Sequence, residues 1–278
     1  MIYFMRSSVI FLALVMCQPS PLFAQTMWPT NQSHGRTARV VQAQKTAPNS
    51  VGLPKPTVAP TAGTWNYKIT VVQPNGTALL TSSLTIKDDG AVWTVTTHWE
   101  VPDGPVTDVS TLEKGTLILR QESLKHFPKP GQPWKPTAIN LEFTDHKVTG
   151  TMKDANGQDR PVAEDLGGPV FASVIGTDLT IGCLPLSAGY STTLRTFDLN
   201  ELAVRPQSSN KEKLTQVMVV GLERVTVPAG TFDVYKVELT SAAGGSNKQT
   251  VWIAKDSRKP VKALGNIGGS FVTTELVP

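Results

Sequence analysis

The residues to weigh first for chemistry are the four histidines, at positions 34, 98, 126 and 146. None stands in a His-Glu-x-x-His spacing or beside a cysteine pair, so the pattern indicates no metal site. His98 and Glu100 lie two residues apart in an alternating stretch with Thr94 and Thr96, which puts all four on one strand face. An imidazole and a carboxylate so placed can converge on a ligand or form half of an acid–base pair. The competing reading is a solvated sheet face. His146 adjoins Asp145 in what reads as a tight turn, where local hydrogen bonds explain both. Asp154-Ala-Asn-Gly-Gln-Asp159 looks like a calcium loop only in outline: its glycine comes too early and the closing glutamate is missing. A hairpin turn suits it better.

No Gly-x-Ser-x-Gly elbow, Ser-x-x-Lys pair or phosphate-cradling glycine loop occurs. Ser270 follows two glycines but belongs to an alternating strand, which argues against an exposed nucleophile. The expectation is a protein that is not an enzyme, with no cofactor and no metal, and with an unrecognised hydrolase as the residual alternative. One stretch suggests contact with a partner instead. His126-Phe-Pro-Lys-Pro-Gly-Gln-Pro-Trp-Lys-Pro136 carries four prolines that stiffen a loop and hold Trp134 on it. An aromatic ordered in advance loses less entropy on binding. The plainer reading is a long connection whose Trp134 folds back on the sheet. His98, Glu100 and Trp134 are therefore the candidate contact residues.

What positions these residues is a chain of 278 residues, 40% hydrophobic and 17% charged, long enough for one large domain or two small ones. The net charge of +4 does not mark a nucleic-acid binder once it is divided along the chain. Arg6, Arg36, Arg39, Lys45 and Lys55 precede residue 64 with no acid among them, leaving 21 basic against 22 acidic residues in 64–278. A phosphate backbone needs a concentrated basic face.

Residues 1–24 read as a secretory signal: Arg6, an apolar run from Val9 to Met16, then a Pro/Ser segment ending at Ala24. That run is too short for a membrane-crossing helix, which needs about 20 residues. Cys17 offers an alternative, acylation as a lipoprotein, although Met16 departs from the small residue expected before it. If cleavage follows Ala24, only Cys183 remains in the exported chain, no internal disulfide is possible, and the fold stands on its core. Cys183 reads as a buried small hydrophobe. The location expected is periplasmic or extracellular.

Residues 25–63 contain five prolines and no regular apolar spacing, so they bury too little surface to offset ordering entropy and read as a disordered tether. From Trp65 onward the period is two. Trp65, Tyr67, Ile69 and Val71 alternate with polar residues, and Leu80, Ser82, Leu84 and Ile86 return after an Asn75-Gly76 turn. Trp93, Val95, Thr97, Trp99 and Val101 follow Asp89-Gly90. Further strands are read at 116–125, 138–143, 147–153, 190–197, 214–227, 231–240, 248–254, 260–264 and 270–277, and at most one short helix near Val170–Ile175. The fold class predicted is all-β, an antiparallel meander of about eleven strands forming a sandwich or partly open barrel over 64–278 as a single domain. An alternative division within 198–212 would give two halves sharing one sheet.

The last third carries a resemblance. Val220-Gly-Leu-Glu-Arg-Val-Thr-Val-Pro-Ala-Gly-Thr-Phe-Asp-Val-Tyr-Lys-Val-Glu238, then Val251-Trp-Ile-Ala-Lys-Asp256 and Pro260-Val-Lys262, resembles an exported bacterial family, domain of unknown function 3108, best over 214–278. Its most distinctive part, Pro228-Ala-Gly-Thr-Phe232, needs no chemistry: a proline ends a strand, a glycine permits the turn and Phe232 returns to the core. The resemblance implies a β-rich exported domain without known catalytic residues. Residues and resemblance together point to a non-catalytic envelope domain binding a protein or envelope partner, with a carrier of a small apolar, lipid-like ligand in a half-open barrel as the alternative.

Overall fold

The computed structural model describes residues 53–130, 137–153, 157–172, 175–204, 206–209, 211–244, 248–267 and 269–278. The expected signal, Cys17, most of the tether and Trp134 lie outside them. Among the described residues the chain forms β1 (Gly63–Gln73), β2 (Gly76–Asp88), β3 (Val92–Glu100), β4 (Val106–Glu113), β5 (Leu119–His126), β6 (Thr137–Phe143), β7 (Lys147–Lys153) and β8 (Asp159–Asp165). Then follow α1 (Ile175–Cys183), β9 (Ser191–Phe197), α2 (Leu199–Val204), β10 (Glu212–Val227), β11 (Gly230–Ser241), β12 (Lys248–Ala254), β13 (Pro260–Ile267) and β14 (Ser270–Val277).

All fourteen strands join one antiparallel sheet in the order β8-β7-β6-β5-β4-β3-β2-β1-β14-β13-β12-β11-β10-β9. The first and last of these strands therefore lie in mid-sheet, with β1 held between β2 and β14. The all-β meander is as read from sequence, but with fourteen strands where about eleven were expected. Two were not foreseen for physical reasons. In β4 the inward positions are Val106, Asp108, Ser110 and Leu112, so polar residues interrupt the apolar alternation. In β8, Pro161 and three acids leave Val162 as the one buried apolar side chain.

The sheet is not closed, because β8 and β9 do not pair. It is nonetheless rolled so that its two ends meet. Lys211 Nζ lies 2.6 Å from Glu164 Oε1, and the Gly167 amide donates to Glu212 Oε2 at 2.7 Å. Phe143 and Phe197 pack edge to face with centroids 5.7 Å apart. Phe171 bridges Ile118, in the β4–β5 turn, and Thr196 on β9, so the segment after β8 ties β9 to the other half of the sheet.

Among the described residues two helices are present, where one short helix at most was expected near Val170–Ile175. Phe171 forms strand bridges and Ala172 belongs to no helix; the first described helix runs from Ile175 and the second occupies part of the polar stretch after Asp198. The first, α1, joins two apolar clusters: Leu179 and Cys183 pack in the larger, Ile181 in the smaller. Its close seat against the β12–β13 turn depends on Gly182, where a Cβ would collide with the Arg258 carbonyl. The end of the stretch read as a tether is also seated, since the Thr57 and Val58 amides both donate to the Cys183 carbonyl, at 2.8 and 3.3 Å. No helix among the described residues is long and apolar enough to cross a membrane.

Candidate functional site

His98 and Glu100 do meet. His98 Nε2 lies 2.9 Å from Glu100 Oε1, and Nδ1 lies 3.0 Å from Thr107 Oγ1 on β4. A carboxylate, an imidazole and a hydroxyl thus stand in line, resembling a nucleophilic relay. The surroundings differ from one. The three side chains lie on the outer face of the sheet, where His98 is paired with Ser83 on one side and Thr107 on the other. Both flanking strands take up the backbone amides of β3, so this stretch has no amide pair free to stabilise an oxyanion. Trp134 lies outside the described residues; the start of its loop is anchored, with the Lys129 amide donating to the Asp103 carbonyl.

A second group of polar residues faces inward; alternation already set Ser82 and Thr97 on that face, and the strand that supplies Asp108 and Ser110 was not foreseen. Cross-strand register sets Thr97 opposite Asp108 and Ser110 opposite Glu122 on the concave face of β3–β5, with Ser82 on β2 and His126 at the end of β5. Asp108 and Glu122 are diagonal neighbours on adjacent strands, which brings such side chains within about 7–8 Å. All six are buried. Ser82 Oγ, Asp108 Oδ1 and His126 Nε2 have no hydrogen-bond partner. Burial pushes the Asp108 carboxyl up to about 7.

Beyond this group, Asp178 on α1 is likewise pushed up to about 7 by burial. Its neighbour Tyr67, whose hydroxyl donates to the Pro260 carbonyl at 3.0 Å, is raised by burial and then by the charge of Asp178. Near the rim, burial lowers His126 against the pull of Asp103, while burial raises Asp103. The available signal was phase: Asp108 and Ser110 alternate in register with Val106 and Leu112, as inward residues must. Among the described residues no group of three or more His, Cys, Asp or Glu side chains is placed to hold a metal ion.

The third feature is on the outside. Ten large apolar side chains are exposed among the described residues, and four of them, Leu214, Met218, Val220 and Leu222, lie along β10. Leu222 is 58% and Val220 48% exposed, values that leave about half or more of each residue in water. The hairpin that follows turns at Pro228-Ala229, and the Ala229 amide donates to the Leu276 carbonyl at 3.2 Å. Phe232 packs against the larger core cluster with Lys259 Nζ 5.6 Å over its ring, as its place in the motif suggested.

The model of a family described as "Protein of unknown function (DUF3108)" matches residues 64–268. No curated protein matches the sequence. Among solved structures, a chain from Bacteroides fragilis described as an exported protein with a YmcC-like fold aligns at 11% identity and a TM-score of 0.29, covering 80% of this chain and 97% of that one. A chain from Parabacteroides distasonis described as a lipoprotein aligns at 12% identity with the same coverage and TM-score. A DUF1329 family protein from Desulfovibrio piger aligns at 13% identity and a TM-score of 0.22, covering 78% and 84%.

Proposed function

The chain belongs to the DUF3108 family, and from that footing we propose that it is an exported, non-catalytic domain that binds a protein partner in the cell envelope. The observation that carries this reading is the concentration of exposed apolar side chains on β10. Monomeric surfaces seldom gather such residues on one element, and where they do the patch commonly marks a contact. Export rests on the signal-like residues 1–24. Absence of catalysis is supported by the surroundings of His98, whose two ring nitrogens are both engaged on a sheet face lacking free amides. The apolar-carrier alternative draws less support, because α1 occupies the concave side where cargo would sit and contributes to both apolar clusters. A ligand with a polar group suits the unpartnered Ser82 and Asp108 better than a lipid tail does.

The test is site-specific photo-crosslinking in the producing cell, with the crosslinker at Thr226, which shares a face of β10 with Leu222, and, as control, at Thr149 on the outer face of β7. A discrete adduct from position 226, lost in Leu222→Lys and never formed from 149, is the expected result. Equal or absent labelling at the two positions would remove the reading. Native mass spectrometry of the purified chain decides the small-ligand alternative by the presence or absence of a bound mass.

A further inference from the structure

β10 is sixteen residues long but β9 covers only its first part, the ladder running from Glu212 opposite Phe197 to Met218 opposite Ser191. One further contact, between Val219 and Gly189-Tyr190, ends the pairing on that side: the Val219 amide donates to Tyr190 and its carbonyl accepts from Gly189, both at 2.9 Å. From Val220 to Val227 the strand is paired with β11 alone, and among the described residues no backbone hydrogen bond reaches it from the other side. The bulge at Val219/Gly221 bends the strand just where β9 stops.

Which groups are left free follows from alternation. The two-residue turn at Pro228-Ala229 makes Val227 and Gly230 the closing pair, so the amide and carbonyl of Val227 face β11. Counting back, Val225 and Glu223 also face β11, whereas Thr226, Arg224 and Leu222 point their amides and carbonyls outward. Five of the eight residues from 220 to 227 have exposed side chains, Leu222 and Arg224 among them.

Open edges invite pairing, and proteins normally guard them with proline, charge or cover. The other edges here are guarded. β8 carries Pro161 with Asp159, Glu164 and Asp165, and β9 is capped near its end by the Phe171 amide donating to the Arg195 carbonyl. Among the described residues the free run of β10 carries no proline, and only at the hairpin end, where the Ala229 amide reaches the Leu276 carbonyl, does another strand approach it. Its two charges are occupied, Arg224 with Asp233 at 3.0 Å and Glu223 with the Trp252 indole.

We propose that residues 220–227 of β10 accept an extended segment of another polypeptide as an added strand, with apolar side chains of that segment lying over Val220 and Leu222. This rests on the partner-binding reading above and names its mode. Unpaired strand amides and carbonyls spaced at every second residue match an extended peptide backbone, which supplies the affinity, while the apolar contacts set the sequence preference.

The probe is a random 12-residue peptide library displayed on phage and selected against the immobilised full chain. Binders are then measured by fluorescence anisotropy and by amide hydrogen exchange of the chain. In the free protein at low concentration the amides of Leu222, Arg224 and Thr226 exchange fast and those of Glu223 and Val225 slowly; a selected peptide slows the first three. Arg224→Pro removes one outward amide without touching the β11 ladder, and weakens binding at least tenfold with the melting temperature nearly unchanged. Should that variant fail to fold, Leu222→Lys, which keeps the amide but replaces the apolar contact, weakens binding of the selected peptides at least tenfold instead.

Slow exchange at 222, 224 and 226 in the free monomer, or an empty selection, overturns the proposal. Protection that appears only at high protein concentration, with dimers in sedimentation, reassigns the edge to a second copy and likewise overturns it. Peptides that protect amides elsewhere sink the edge assignment while leaving partner binding intact.

Discussion

Replacing Asp178 with asparagine removes a proton-binding group from the interior, and the structure sets the size of the effect. Asp178 is fully buried on α1, its Oδ1 has no partner, and burial raises its carboxyl from 3.8 to about 7. The folded state therefore holds a proton that the unfolded chain releases above pH 4. For a raised carboxyl this contribution to stability is complete below the unfolded value and is lost as pH rises through the folded one. Three pH units at about 1.4 kcal/mol each come to roughly 4 kcal/mol lost between pH 4 and pH 7. With a urea m-value of about 3 kcal/mol/M, that moves the midpoint down by roughly 1.3 M over this range. Asp178→Asn abolishes this share of the slope, whatever constant cost the amide brings. The assay is urea unfolding followed by tryptophan fluorescence at half-unit intervals from pH 4.5 to 7.5, wild type against variant. Curves that stay parallel would refute the reasoning, because they would mean the carboxyl is charged and solvated in the folded protein.

Other consequences are simpler to check. Asp108→Asn should reduce the same slope further, since its carboxyl is also pushed to about 7 by burial; equal slopes in the single and double variants would contradict this. The Cys183 thiol is pushed up to about 12 by burial, and should react with Ellman's reagent at pH 8 only at the rate of unfolding. Gly182→Ala should cost at least about 2 kcal/mol in urea unfolding, because the new methyl meets backbone at Arg258 and α1 cannot shift without opening two clusters. Alanine at His98 or Glu100 should cost no more than about 1 kcal/mol by the same measurement, as both lie on a solvated face.

Much of the sheet was legible because inward and outward residues alternate where the inward ones are apolar. Tyr67, Ile69 and Val71, then Leu84 and Ile86, then Trp93 and Val95, are buried on the face that alternation assigns them. Where inward residues are polar, as at Asp108 and Ser110, the same rule holds in space but leaves no apolar signature along the chain. β8 was hidden for a related reason: an edge strand buries little and carries proline and charge to stay unpaired.

For the candidate sites the division is similar. That His98 and Glu100 share a face follows from their spacing alone, while the Thr107 hydroxyl on the other ring nitrogen required the register of β4. The free edge of β10 is equally invisible in sequence, since it exists only because β9 is shorter than the strand it joins. Local alternation and turn residues determined by themselves that this is an antiparallel sheet protein, for they act within a few residues of each other. Which strands lie at the rim, which acids lose their water and where a strand outruns its neighbour were decided by the rolled tertiary structure. Those properties depend on contacts between residues far apart in the chain, and no short window of sequence contains them.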